Sequence, residues 1–237
     1  MTNEEEIVKN IIFPLGQRLR KGLVTYKLCQ ILNCHLTLDP SSPFLNLGNG
    51  IRESKYNYLY NELQWYMSKD LSIKGHSGIE GNPIWQGIST DHGKINSNYG
   101  YLVFDERNYS QYDRALSQMY KNKDTKHAVL IYTRPQIVNE WNDNVHAKSD
   151  FICTYATSFM IQDNKLYMNV HMRSNDFFTG FFNDFAWQVF IYRKFMADVR
   201  KKYDVQIGSI FWNTDNMHVY ERDYALLQDL YNYYKGK

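Results

Sequence analysis

The segment FICTYATSFMIQDNKLYMNVHMR, residues 151–173, constrains the fold most strongly. Strand-forming residues flank Asp163-Asn164, a pair that tolerates the left-handed backbone of a tight two-residue turn. Two antiparallel strands are therefore expected, over 152–162 and 165–172. A polar group, Arg173-Ser174-Asn175-Asp176, follows at once, then FFTGFF, then Asn183-Asp184. From there Phe185, Val189, Tyr192 and Met196 recur at helical spacing, predicting a helix over 183–201. Polar side chains between a strand end and a helix are well placed to bind a ligand. The bland alternative is a solvated turn in which Asn183 or Asp184 caps the helix.

Further helices are expected over 56–69, where Leu59, Leu63, Tyr66 and Met67 share a face, over 109–121 and over 224–234. Further strands are expected over 29–38, 128–132 and 208–213, and loops over 40–50 and 74–83. Strands and helices mix without a regular βαβ alternation, which predicts an α+β fold with a mixed sheet flanked by helices, in one domain spanning 1–237. A chain that is 43% hydrophobic and 22% charged is expected to be ordered, and no apolar run is long enough for a membrane helix. The start MTNEEEIVKN lacks the pattern of a secretory signal, so a cytoplasmic location is expected. A net charge of +2 and the lack of a clustered basic stripe argue against a nucleic-acid-binding role for the 20 tyrosines.

Four features carry possible chemistry. Cys153 is a strand cysteine that is either a core residue or a nucleophile, with Arg173 across the turn as its candidate activator. The second feature is the polar group Arg173 to Asp176 together with Asp184. Glu62 lies near the edge of a helical apolar face; burial there would suit it to proton transfer. His218 and Tyr220 fall on one side of an extended segment. The remaining histidines, His35, His76, His92, His127, His146 and His171, show no metal-binding spacing, and no catalytic metal is expected.

Taken in order, Glu62-Leu63-Gln64-Trp65, Asn98-Tyr99-Gly100, Cys153, Arg173-Ser174-Asn175-Asp176, Gly180, Asn183-Asp184 and His218-Val219-Tyr220 resemble the thymidylate synthase superfamily. Within it they are most similar to the phage deoxycytidylate (dCMP) hydroxymethylase branch. The resemblance covers roughly 56–224. It implies a homodimeric transferase acting on a pyrimidine nucleoside monophosphate, with 5,10-methylenetetrahydrofolate as co-substrate. Cys153 would add to C6 of the ring, Glu62 would hold a water and move protons, and Tyr99 would help remove the C5 proton. Arg173, Ser174 and Asn175 would bind substrate, with Arg173 and Ser174 on the phosphate and Arg173 also activating Cys153. His218 and Tyr220 would hold the sugar hydroxyl, Asp176 would meet the pterin, and Trp85 would pack beside the folate ring.

The twelfth position counted from Arg173 is Asp184, where thymidylate synthases have an asparagine that matches uracil. An ionised carboxylate accepts from cytosine's amine and from a protonated N3, and repels uracil's O4. Cytosine is the expected base; a register one residue earlier, on Asn183, would suit uracil. The chain also stops at Lys237, without the family's long closing tail, and a wetter site favours water over hydride as the final nucleophile. The expected product is 5-hydroxymethyl-dCMP, made in a host cytoplasm if the source is a phage. Methylation of dCMP or dUMP, hydroxymethylation of CMP and a catalytically silent binding protein are the alternatives.

Three departures stand out. The family's arginine pair, which reaches the other subunit's phosphate, is Lys126-His127 here, with less charge and no bidentate fork. The family's N-terminal arginine loop has no obvious counterpart; Arg20, Lys21 or Lys27 could substitute. The family's Pro-Cys-His is Ile152-Cys153-Thr154.

Overall fold

The computed structural model describes residues 1–140 and 150–237; His146 lies outside them. The chain divides into two compact units, one of residues 1–54 and 159–237, the other of residues 55–158. Among the described residues no helix is long and apolar enough to cross a membrane.

The first unit is built on a mixed sheet. β1 (Leu28–Leu38) runs antiparallel to β8 (Gln206–Tyr220), which runs parallel to β6 (Lys165–Met172) and to the short β7 (Asn175–Asp176). β5 (Thr154–Gln162) neighbours β6. The turn joining them is the expected one: Asp163 and Asn164 have φ of 50° and 56°, the left-handed region that short polar side chains tolerate. The short β2 (Asn46–Leu47) and β3 (Arg52–Glu53) pair with each other.

Against one face of this sheet lies the helix Phe182–Val199, whose Phe185, Val189, Tyr192 and Met196 are all buried, as their spacing implies. Phe159 stacks on Phe195 at 3.9 Å, and Phe181 meets Trp212 edge-on at 5.3 Å. Each such buried ring contributes about 2 kcal/mol by leaving water. Tyr192 also anchors the helix by donating to the Leu166 carbonyl at 2.7 Å.

Two expectations need correcting here. β8 extends to Tyr220 rather than ending at Asn213, because β1 pairs with it from Leu38↔Ile210 to Leu28↔Tyr220. The turn-like Asn213-Thr214-Asp215-Asn216 therefore stays extended. Its amides find partners: Asn213 with His35 and the Val170 carbonyl, Asn216 with Gln30. In addition, neither Asn183 nor Asp184 caps the helix. FFTGF (Phe177–Phe181) already coils, and Asp176 caps it by accepting from the amides of Phe178 and Thr179.

The second unit carries the helices Tyr56–Ser68, Pro83–Ile88, Tyr99–Phe104 and Gln111–Lys121, with β4 (Val129–Ile131) antiparallel to the first half of β5. The helix Tyr56–Ser68 is turned from its expected orientation. Its buried stripe is Leu59, Glu62, Trp65 and Tyr66, and Met67 is exposed. Trp65, with the largest apolar area, goes inward and takes Glu62 with it; the indole N–H is satisfied by the Ser72 carbonyl at 2.8 Å.

Gly100 sets the contact between the helices Tyr56–Ser68 and Tyr99–Phe104. A Cβ at Gly100 would lie 1.8 Å from the Tyr66 carbonyl oxygen, so no larger residue fits without moving a backbone. Gly100→Ala should destabilise the protein by about 3 kcal/mol, an overpacking cost, read as a lower urea midpoint at unchanged m-value.

Candidate active site

The second unit contains Glu62, Tyr99, Trp85 and Cys153; Tyr58 links Glu62 to Trp85, and Thr154, next in sequence to Cys153, bonds to Tyr99. Asp150 is buried, and its carboxylate accepts from the backbone amides of Asn96 and Ser97, both at 2.7 Å, and from the Ser97 hydroxyl. The next residue, Asn98, is wholly buried. Its Oδ1 caps the helix Tyr99–Phe104 through the Tyr101 amide, and its Nδ2 donates to the carbonyls of Trp65 and Asp70. Tyr99 is thereby held under Tyr66, ring on ring at 5.3 Å. Its hydroxyl accepts from Thr154 Oγ1 at 3.0 Å, the residue after Cys153.

Cys153 is half-buried, whereas Cys29 and Cys34 are buried. Burial pushes both of those thiols up, Cys34 to about 12, which keeps them protonated and unreactive. Cys153 Sγ lies 3.9 Å from the Phe151 carbonyl oxygen.

Glu62 is 4% exposed, so burial replaces the expected position at the edge of the face. Tyr58, one turn earlier, donates to Glu62 Oε1 at 2.8 Å and accepts from Trp85 Nε1 at 2.9 Å. Trp85 stands edge-on to Trp65 with centroids 4.9 Å apart. A half-buried indole braced in this way suits a flat pterin ring.

Lys126 and His127 are exposed just before β4. His127 borders a cavity of about 360 Å³ whose lining includes Arg114, Gln118, Thr133 and Arg134. Arg114 and Arg134 are cations that sequence reasoning missed. They are far from His127 in sequence, and the contact between β4 and the helix Gln111–Lys121 brings them near it.

In the first unit the polar group and the histidine are neighbours, since β7 pairs Asn175 with Met217 and Asp176 with His218. Asn175 is buried, and its Nδ2 donates to Asp184 Oδ2 at 2.7 Å. A Cβ on Gly180 would lie 3.1 Å from that nitrogen and 3.4 Å from that oxygen, so a glycine leaves this pair room. Asn183 turns away to the Thr179 carbonyl at 3.0 Å. Of the two registers, Asp184 is the one gripped by the polar group. Asp176 Oδ2 takes the Thr179 hydroxyl and Arg222 at 2.9 Å, in addition to its capping bonds. Arg222 also lies over the Tyr220 ring at 4.6 Å.

His218 has a definite tautomer. Asn216 Nδ2 donates to Gln30 Oε1 at 2.7 Å, so Asn216 Oδ1 faces His218 Nδ1 at 3.1 Å and must accept its proton. Nε2 is then the acceptor. It is buried with no hydrogen-bond partner among the described residues, which suits an incoming hydroxyl. Of the N-terminal cations, Arg20 packs on Tyr231, Lys27 pairs with Glu221 at 3.2 Å, and Lys21 is exposed.

Burial lowers the His218 pKa from its ordinary 6.5, and the charges of Arg173 and Arg222 add to this against Asp176. A depressed histidine favours the folded state fully above pH 6.5, and that contribution is lost as pH falls through the folded value. His218→Gln should flatten the decline in stability between pH 7 and 5, as followed by thermal unfolding.

The thymidylate synthase family model matches residues 16–232. The deoxycytidylate 5-hydroxymethyltransferase of Enterobacteria phage T2 is 39% identical over 178 residues, covering 74% of this chain and 71% of that protein. That of phage T4 is 40% identical over 173 residues, covering 72% and 69%. A thymidylate synthase from Fusobacterium nucleatum is 28% identical over 176 residues, covering 72% and 59%. Among solved structures, the thermostable thymidylate synthase A from Bacillus subtilis superposes with a TM-score of 0.65 at 20% identity, covering 86% and 70%, which shows the fold. With a family model spanning most of its length and relatives near 40% identity, the chain belongs to the thymidylate synthase family.

Proposed function

We propose that the chain converts dCMP to 5-hydroxymethyl-dCMP, acting as a single catalytic domain over 1–237. What supports this reading is the carboxylate of Asp184, twelfth in the count from Arg173 and held by Asn175 Nδ2, in a chain near 40% identical to phage deoxycytidylate 5-hydroxymethyltransferases. An ionised carboxylate takes hydrogen bonds from cytosine's N4 amine and from a protonated N3. Uracil would bring its O4 against the same charge.

The roles follow from chemistry and burial. The thiolate of Cys153 adds to C6, breaking the C5–C6 double bond and making C5 nucleophilic. 5,10-Methylenetetrahydrofolate supplies the one-carbon unit and leaves as tetrahydrofolate. Tyr99 takes part in removing the C5 proton, its hydroxyl oriented by Thr154. Glu62 holds the water that becomes the new hydroxyl and accepts its proton. Expulsion of the Cys153 sulfur restores the double bond, so dCMP, methylenetetrahydrofolate and water give hydroxymethyl-dCMP and tetrahydrofolate.

Arg173 and Ser174 hold the phosphate. His218 Nε2 accepts from the sugar hydroxyl, with Tyr220 beside it at a ring separation of 5.0 Å. Trp85 and Asp176 are the residues that would hold the folate, Asp176 sharing its carboxylate with Arg222. A homodimer is supported by the sheet face of the first unit away from the helix Phe182–Val199. There Tyr167 and Phe211 stack at 5.6 Å while only half-buried, and His35, Asn213 and His171 lie along the same face. Arg114 and Arg134, which line the same cavity as His127, would add positive charge to the face that meets the partner's phosphate, with Lys126 next to His127 in sequence.

The base assignment is tested with Asp184→Asn. Turnover of dCMP should fall on the order of 10³-fold while dUMP gains C5 tritium release; a variant that keeps its preference for dCMP would refute Asp184 as the base reader. Cys153→Ala should abolish product formation yet bind dCMP within about threefold of wild type by calorimetry, since only the bond to C6 is lost. Product chromatography separates hydroxymethyl-dCMP from methyl-dCMP, and dihydrofolate absorbance would reveal the methylating alternative.

A further inference from the structure

We infer that Tyr58 is a positioning residue for Glu62, and that its hydroxyl couples the carboxylate to the Trp85 indole. The inference rests on the reading above of Glu62 as the proton-handling carboxylate and Trp85 as a folate-side ring. It adds a residue that no motif marks.

Direction is fixed from one end of the chain of bonds. An indole N–H can only donate, so at 2.9 Å the Tyr58 oxygen must accept from Trp85 Nε1. The phenol's single proton is thereby left for Glu62 Oε1 at 2.8 Å. Oε1 is thus committed as an acceptor, and a proton placed on it would break the relay. Tyr58 and Glu62 are four residues apart on one helix, one turn from each other, so the bond needs no long-range fit. The Trp85 ring in turn is braced at 4.9 Å by Trp65, which is buried and anchored on the Ser72 carbonyl. In part-buried surroundings consecutive hydrogen bonds polarise one another. A ligand pressing on the Trp85 ring is consequently sensed at the carboxylate.

The test uses Tyr58→Phe, which keeps the ring and removes both hydrogen bonds, alongside Trp85→Phe and the double variant. Each is assayed with dCMP and methylenetetrahydrofolate over a pH range. For Y58F, kcat should fall roughly 10- to 100-fold with KM for dCMP within about twofold of wild type. The acid limb of its kcat/KM profile should move to higher pH, because a donor that favours the ionised carboxylate is gone. W85F should raise KM for the folate several-fold and move the acid limb in the same direction as Y58F but by less, because Tyr58 keeps its bond to Glu62 and loses only the polarising indole donor. The double variant should show the limb of Y58F. A fall in kcat with an unmoved acid limb would mark Tyr58 as merely structural and overturn the inference, as would unchanged kinetics. Matching unfolding midpoints guard against a folding defect; if Y58F is too unstable to assay, Tyr58→His, which can still donate, must restore the wild-type limb or the inference fails. Wild-type protein inactive on dCMP would defeat the parent reading as well, whereas active wild type with an unaffected Y58F defeats this inference alone.

Discussion

The approach of two helices at Gly100 governs the second unit. The Tyr66 carbonyl comes within reach of where a side chain would begin at Gly100, and the neighbouring Tyr99 ring stacks on Tyr66 with 24° between the planes. Close packing alone would allow the helix to slide. What prevents this is the fully buried Asn98, whose amide ties the carbonyls of Trp65 and Asp70 to the helix start it caps. Asp150 adds a buried carboxylate supplied with two backbone amides and a hydroxyl, which is how a buried charge is tolerated. Removing one partner of such a network costs more than the bond itself, because the other partner is left buried and unmatched.

The first unit solves a different problem, that of presenting carboxylates and an imidazole in a defined state beside a sheet edge. Asp176 and Asp184 lie eight residues apart and have diverged in duty. Asp176 spends its oxygens on capping and on Arg222, whereas Asp184 receives an amide from Asn175. The coiling of FFTGF makes this division possible, since a helix beginning only at Asn183 would have spent Asp184 on capping.

Much of this was legible in the sequence, and the exceptions have physical causes. Period-2 and period-3.6 patterns located the strands around Asp163-Asn164 and the helix through Phe185 and Met196, because their apolar faces are complete. The orientation of the helix Tyr56–Ser68 was not legible. Leu63 and Met67 looked as apolar as Trp65, and only packing decides which stripe faces inward. The sequence implies too short a β8 because Asn213 to Asn216 has turn chemistry that pairing with β1 overrides. The ordered motif set singled out Glu62, Tyr99, Cys153 and the polar group. Of their supports, Tyr58, Asp150 and Thr154 stand outside that set, and Asn98 stands in it only as the residue before Tyr99, with no role of its own. Tyr58 alone carried a local signal, a hydroxyl four residues before a candidate acid on one helix.

Those supports share a rule that gives each unit its chemical definition. A hydrogen-bond chain acquires direction only when one end cannot reverse. In the second unit that end is the Trp85 indole, a donor with no acceptor capacity, and it determines which oxygen of Glu62 is spent. In the first the Asn216 amide presents its nitrogen to Gln30 Oε1 and its oxygen to His218 Nδ1, and in that orientation Nε2 is the accepting nitrogen. Exchanging Asn216 for a carboxylate would keep an acceptor beside His218 but turn an oxygen against Gln30 Oε1, and the added charge would pull the imidazole toward protonation. An imidazolium donates from both nitrogens, so Nε2 could no longer accept from a hydroxyl. A neutral amide at this position thus keeps His218 an acceptor in a buried setting where its charged form is already disfavoured.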